Sequence, residues 1–290
     1  MVYVVLLYGL IGDNMAELIK TINMGDDIVI STRNVFKSNS SKSIDIAQTT
    51  GSYVIANPYN EDGTMGGNVT IYPPSQAMDI NYPLVLKSFR GTIDLYAPYD
   101  AKFDYIRKRL WIADTGNNRV LIYNTGTQLI ETIIENQITY PHAIAVNLNT
   151  GGAFIKGYSG AYGLVYGANV DGVQGNRFEF DIDMIGSSST SSEDIVDLIT
   201  MPLASTICFD HVRDRCWWVY GNKSYMFDTR NQQVNSYDFT LNGLYSPRSI
   251  DLDYSSGNAI LIIKDIASKW YMVQMSRDNN QYLARAYIKG

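Results

Sequence analysis

Leu110-Trp111-Ile112-Ala113-Asp114-Thr115-Gly116-Asn117-Asn118-Arg119-Val120-Leu121-Ile122-Tyr123 is the stretch on which the fold turns. Two apolar runs of strand length flank a tight polar turn, which is the pattern of a buried hairpin. Upstream, Ala101-Lys102-Phe103-Asp104 leads through a charged turn into the first run. Downstream, Gln128-Leu129-Ile130-Glu131-Thr132-Ile133 follows the second. The unit that begins at Pro98 therefore reads as an antiparallel meander of four short strands.

Weaker copies recur along the chain. Pro141 opens strands near 143–147, 152–155 and 163–166. Pro202 opens strands near 205–209, 216–219 and 224–228, and Pro247 opens strands near 249–253, 259–263 and 270–273. An earlier copy covers 43–46, 52–57 and 68–72. The prolines recur at roughly the 40–50-residue period of propeller blades. The one long interval holds Ile185-Gly-Ser-Ser-Ser-Thr-Ser-Ser-Glu-Asp194, a polar low-complexity run that reads as an exposed loop insertion.

These repeats predict an all-β fold, a β-propeller of four-stranded antiparallel blades forming one domain over 1–290. Six blades are expected, with five as the alternative: a partial one at 1–42, then 43–97, 98–140, 141–201, 202–246 and 247–290. In the first segment, Leu18-Ile19-Lys20-Thr21-Ile22 echoes Leu129-Ile130-Glu131-Thr132-Ile133. A short helix over 13–22 is the competing reading there.

The stretch from Leu110 to Tyr123 resembles the core motif of the NHL-repeat family, an apolar strand ending in Asp-x-Gly-Asn-x-Arg with a second apolar strand after it. The likeness is close over 98–135, and the other copies lack the signature. The resemblance implies a propeller in which Asp114, Asn117 and Arg119 form a structural turn motif between second and third strands. Asparagine and glycine accept the turn's backbone angles, and an arginine returning to an aspartate ties the turn down.

Composition bounds the function. Of 290 residues, 46% are hydrophobic and 18% charged, with a net charge of −6. No basic field attracts a phosphate backbone, and the longest basic run is Arg107-Lys108-Arg109, so nucleic acid is not expected as a partner and an RNA-binding NHL role is disfavoured. Val2-Tyr3-Val4-Val5-Leu6-Leu7-Tyr8 is apolar but too short to span a bilayer, and it lacks the basic start and cleavage site of a signal peptide. Synthesis in the cytoplasm without membrane insertion is expected. Cys208 and Cys216 flank a predicted turn, where they either face each other across a hairpin or remain buried thiols.

Catalytic signals are sparse. The two histidines, His142 and His211, fall in different blades and on opposite faces, and zinc chemistry needs three converging ligands. No catalytic residue, metal ligand or cofactor is assigned. Propeller enzymes of the gluconolactonase kind hold a metal at the channel mouth with Glu, Asn and Asp, which leaves room for a channel-bound calcium. The loop from Asn57 to Gly67 lacks the alternating acidic spacing of a calcium loop.

Strand direction places the loops that start each blade and the loops joining its second and third strands on one face. That face is expected to gather Tyr59, Tyr140, His142, Tyr158, Tyr162, Asn222 and Lys223, residue types suited to binding a partner. With 22 tyrosines against 9 phenylalanines, the chain reads as a non-enzymatic interaction propeller. Its expected partners are other proteins in a larger assembly, such as a virion tail or coat. A metal-dependent hydrolase or lyase is the alternative.

Overall fold

A computed structural model describes residues 43–47, 50–60, 64–72, 84–86, 88–89, 93–159, 162–181, 207–253 and 255–288. The expected partial blade at 1–42 and the insertion at 185–194 lie outside the described residues.

Five four-stranded antiparallel sheets follow one another along the chain, each a blade of a β-propeller. Blade 1 comprises β1 (Ser43–Ile46), β2 (Tyr53–Tyr59), β3 (Met65–Tyr72) and β4 (Leu84–Leu86). A two-stranded link, β5 (Ser88–Phe89) with β6 (Ile93–Asp94), leads on. Blade 2 is β7 (Pro98–Asp104), β8 (Arg109–Asp114), β9 (Arg119–Asn124) and β10 (Leu129–Glu135). Blade 3 is β11 (Thr139–Val146), β12 (Ala153–Ser159), β13 (Tyr162–Ala168) and β14 (Gln174–Asp181). Blade 4 is β15 (Ile207–Asp210), β16 (Arg215–Tyr220), β17 (Lys223–Asp228) and β18 (Gln233–Asp238). Blade 5 is β19 (Leu244–Asp253), β20 (Asn258–Asp265), β21 (Trp270–Met275) and β22 (Tyr282–Tyr287).

The strand composition explains the packing. Middle strands such as β8 are buried on both faces because each blade is sandwiched between neighbours, whereas the outer strand β10 alternates exposed with half-buried positions and buries only Ile134. Four apolar cores lie between successive blades. Leu110, Ile112 and Leu121 pack against Val54 and Val69 of blade 1, and Trp111, Val120 and Ile122 pack against Ile144 and Ile155 of blade 3. Phe154 and Val165 meet Trp218 and Phe227, and Trp217 and Met226 meet Leu261 and Val273. Each such fully buried side chain contributes about 1.5–3 kcal/mol.

Three innermost strands begin with the same joint. Ala97, Tyr140 and Ser246, each directly before a proline, have left-handed φ values of 49°, 45° and 52°. Pro141 and Pro247 lie inside register shifts of their inner strands and Pro98 opens its strand beside one, positions where a missing N–H costs no ladder bond. The left-handed residue donates its N–H to the preceding blade. The acceptors are Gly66 O for Ala97 (2.6 Å), Asn118 Oδ1 for Tyr140 (2.9 Å) and Asn222 Oδ1 for Ser246 (2.9 Å).

The opposite face has its own repeated clamp. Arg107 Nη1 lies 3.2 Å from Asp104 and donates to Leu148 O of blade 3 at 3.0 Å. Arg213 pairs with Asp210 in the same i, i+3 geometry. Each guanidinium covers a left-handed glycine of the next blade, Gly151 (φ 80°) and Gly257 (φ 76°), where a Cβ would collide with it. The two cysteines are free and buried. Cys216 sits opposite Phe209 and Cys208 opposite Trp217, so the thiols point to different faces of blade 4, into different cores.

Candidate functional site

The turn between β8 and β9 is built around Asp114, whose side chain is fully buried. Its carboxylate accepts from Tyr96 N–H (2.7 Å), Asn117 Nδ2 (2.9 Å) and Arg119 Nε (2.7 Å). Asn117 and Arg119 also donate to Asp94 O at 3.0 and 2.7 Å. Burial pushes the Asp114 carboxyl above its ordinary range, against the pull of these donors. All three motif side chains are thereby engaged within the protein.

Beside this turn lies an open depression of about 590 Å³ between blades 2 and 3. Asn117 and Asn118 of the turn form one wall, the connector from Glu135 to Thr139 the second, and Tyr158 the third. Ile138 is buried there, while Glu135, Asn136, Gln137 and Thr139 are exposed. Arg177 reaches its connector wall, donating to Gln137 O at 3.4 Å. Asn118 spends its Oδ1 on the Tyr140 joint, so its Nδ2 is the group left for the depression.

Of the residues expected on this face, His142 and Tyr158 are interior. They are 4% and 7% exposed, with ring centroids 5.5 Å apart. The register shift between Thr139 and Ala143 turns His142 inward. Its Nδ1 donates to Tyr140 O at 3.0 Å, so the buried Nε2 is a bare acceptor with no hydrogen-bond partner among the described residues. Burial first, then the nearby Lys156 charge, pushes His142 down to about 3. Lys156 crosses the blade 3–blade 4 interface, donates to Val219 O at 2.7 Å and lies over the Tyr220 ring. Burial pushes it down to about 7.

The remaining expected residues are spread over the same face. Tyr140 is the second residue of β11, and Tyr162 starts β13 opposite Ser159. Tyr59 shares a side-chain hydrogen bond with Tyr99. Asn222 serves the Ser246 joint, and Lys223 pairs with Asp238 at 3.9 Å. His211 lies at the far end of the inner strands, where its Nδ1 accepts from Leu148 N–H.

The innermost strands also bring together Asp45, Asp100, Lys102 and Asp251, which the sequence reading did not single out. Lys102 Nζ is 3.7 Å from Asp100 and pulls on Asp45 and Asp251. The recurrence of aspartate at one inner-strand position, Asp45 and Asp251, is the signal that would have found them. Asp45 Oδ2 accepts Phe103 N–H at 2.8 Å, and Asp100 Oδ2 accepts Ile144 N–H at 2.7 Å. These carboxylates join neighbouring inner strands. The Lys102 ammonium among them supplies the positive charge that these carboxylates face. Among the described residues, no three His, Cys, Asp or Glu side chains are placed to hold a metal ion.

No family model matches the chain, and no curated protein matches it. Solved structures do. A chain of a nidogen/laminin complex overlaps 86% of this chain at 11% identity and a TM-score of 0.55. The Dos1 propeller overlaps 87% at 10% identity and a TM-score of 0.54. The β-propeller domain of Cps50 (Swd1) from Myceliophteria thermophila overlaps 87% at 9% identity and a TM-score of 0.54. Of those chains, the overlap covers 80%, 62% and 73% respectively. The chain spans about half (49%) of a hydrazine synthase chain from Kuenenia stuttgartiensis, at a TM-score of 0.49. At these identities the likeness is one of fold, a β-propeller. No helix among the described residues is long and apolar enough to cross a membrane.

Proposed function

We propose that the protein is a non-catalytic interaction propeller of NHL-repeat type, working through its surface as one part of a larger assembly such as a virion tail or coat. The observation that carries this reading is how the polar side chains are spent. Asp45, Asp100, Asn118, Asn222, Arg107 and Lys156 are committed to holding blades to one another, and Asp114 holds the segment that enters blade 2. Catalysis needs several polar groups aimed at one reacting point, and the open groups instead line a depression suited to contact. A chain of similar fold solved within a nidogen/laminin complex supports the same use of the fold.

Fractionating the native source on a density gradient tests this. The chain is expected to sediment in fixed stoichiometry with the other proteins of a particle. Recovery solely as a free, unassociated protein would overturn the reading.

A further inference from the structure

The residue directly after the joint proline sets blade 5 apart from blades 2 and 3. Tyr99 and His142 hold that place in the other two joints, and both are interior. Tyr99 shares a hydrogen bond with Tyr59, and His142 donates to Tyr140 O. In blade 5 the place belongs to Arg248, a half-buried cation. Its Nε is sealed from solvent and has no hydrogen-bond partner among the described residues. Every other described arginine is spent on a carboxylate, a backbone carbonyl or an aromatic ring.

The backbone that carries Arg248 is fixed. Ser246 N–H bonds to Asn222 Oδ1 at 2.9 Å, Pro247 sets the next φ, and the register shift between Tyr245 and Ser249 takes Arg248 out of the β19–β20 ladder. Irregularities of this kind re-aim side chains. The acids near it in sequence are engaged elsewhere: Asp238 with Thr240, Asp251 with Leu252 N–H and Asp265 with Tyr271. A guanidinium partly removed from water without a counter-charge is unfavourable. Supplied with a carboxylate, the same group makes a bidentate, charge-assisted pair. With Nε sealed, the open edge is the Nη1 and Nη2 pair, which matches the two oxygens of one carboxylate. A single cation on a chain of net charge −6 suits one such group and opposes a polyanion.

We propose that Arg248 anchors a protein-binding site at the blade 4–blade 5 joint, where it takes the side-chain carboxylate of an aspartate or glutamate from a partner protein. The inference rests on the interaction reading above, and it adds the place and the chemistry of the contact.

The test is selection of a random short-peptide library on the full chain, followed by fluorescence anisotropy with the peptides recovered. These are expected to share an aspartate or glutamate, and its replacement by the matching amide should weaken binding roughly ten-fold or more. Arg248→Met should cost the same factor with a melting temperature at or above that of the parent, because no bond within the protein is lost. Arg248→Glu should bind the peptide in which lysine replaces the acid. Recovery of no peptide, peptides without an acid, full binding by Arg248→Met, or a lowered melting temperature in that variant would overturn the proposal. Displacement of the peptide by inorganic phosphate, at concentrations where acetate has no effect, would assign the site to phosphate and overturn it too. Incorporation into a particle by a chain that selects no acidic peptide would sink this inference and leave the assembly reading standing. Acidic-peptide binding by a chain recovered solely as free protein would do the reverse.

Discussion

The side-chain oxygen of Asn222 accepts the backbone N–H of Ser246 at 2.9 Å, so the β16–β17 turn of blade 4 holds the start of blade 5. Asn118 does the same for Tyr140 one joint earlier. Each bond satisfies a donor next to a proline, where the chain is held in a left-handed conformation that costs about 1–2 kcal/mol. A propeller has no interior helix to brace it, so such blade-to-blade bonds carry the alignment of the ring.

The two joints differ in exposure, and that sets the first prediction. The Asn222 bond is partly buried and the Asn118 bond exposed. Asn222→Ala is expected to cost about 1–2 kcal/mol in urea unfolding, since the Ser246 donor loses its partner. Asn118→Gly, which keeps the left-handed turn residue (φ 52°), is expected to cost less because water replaces the acceptor. Asn222→Asp retains an acceptor and should recover most of the loss. Equal, negligible effects at both sites would refute the joint as a source of stability.

Arg119→Ala is expected to destabilise by about 2–4 kcal/mol at neutral pH, because it strips a charged donor from the buried Asp114 carboxylate. The pH dependence has a definite sign. Burial holds the folded-state pKa of Asp114 above its ordinary value of 3.8, so the folded state binds the proton more tightly than the unfolded chain. The associated stability is full below 3.8 and is lost as pH rises through the folded value. Losing Arg119 raises that value further. The deficit of the variant should therefore shrink as the solution is acidified, and a pH-independent deficit would contradict the assignment.

Lys156 and His142 predict opposite ends of the pH profile. Both bases have lowered values in the folded protein, about 7 against 10.5 for Lys156 and about 3 against 6.5 for His142. Between those limits the unfolded chain binds the proton and the folded chain does not, so stability rises with pH. His142 thus removes stability as pH falls from 6.5 towards 3, and Lys156 adds it as pH rises from 7 towards 10.5. Lys156→Met keeps the length of the side chain without burying an ammonium. It should flatten the alkaline slope and leave stability at pH 7 within about 1 kcal/mol of the parent. His142→Gln should flatten the acid slope. Unfolding curves across pH with both slopes intact in the variants would rule this out.

The β-propeller itself was legible because its signals are local. Alternating apolar runs, polar turns and prolines at a regular spacing mark strands wherever they occur, and Trp111, Trp217 and Trp218 fall in fully buried middle strands. The site was only partly legible because its geometry is not local. Asp45, Asp100 and Asp251 are brought into range of Lys102 by three different inner strands. The burial of His142 depends on a register shift beside Pro141, which no pattern of hydrophobicity records. The depression draws on a turn and a connector whose polar residues, such as Asn136 and Gln137, read as ordinary loop in one dimension.

The last prediction concerns Cys208 and Cys216. Spacing across a hairpin suggests a bond, but residues one position out of register in an antiparallel pair point to different faces of the sheet. With Cys216 facing Phe209 and Cys208 facing Trp217, one thiol enters the core shared with blade 5 and the other the core shared with blade 3. Burial pushes both thiols well above their ordinary value, which keeps them protonated and slow as nucleophiles. The folded protein is therefore expected to leave Ellman's reagent unreacted, and the unfolded chain to release two equivalents without prior reduction. Rapid labelling of the native protein would show that blade 4 opens to solvent. A mass two hydrogens lower, with no thiol released on unfolding, would show a bond and overturn the register of β15 with β16.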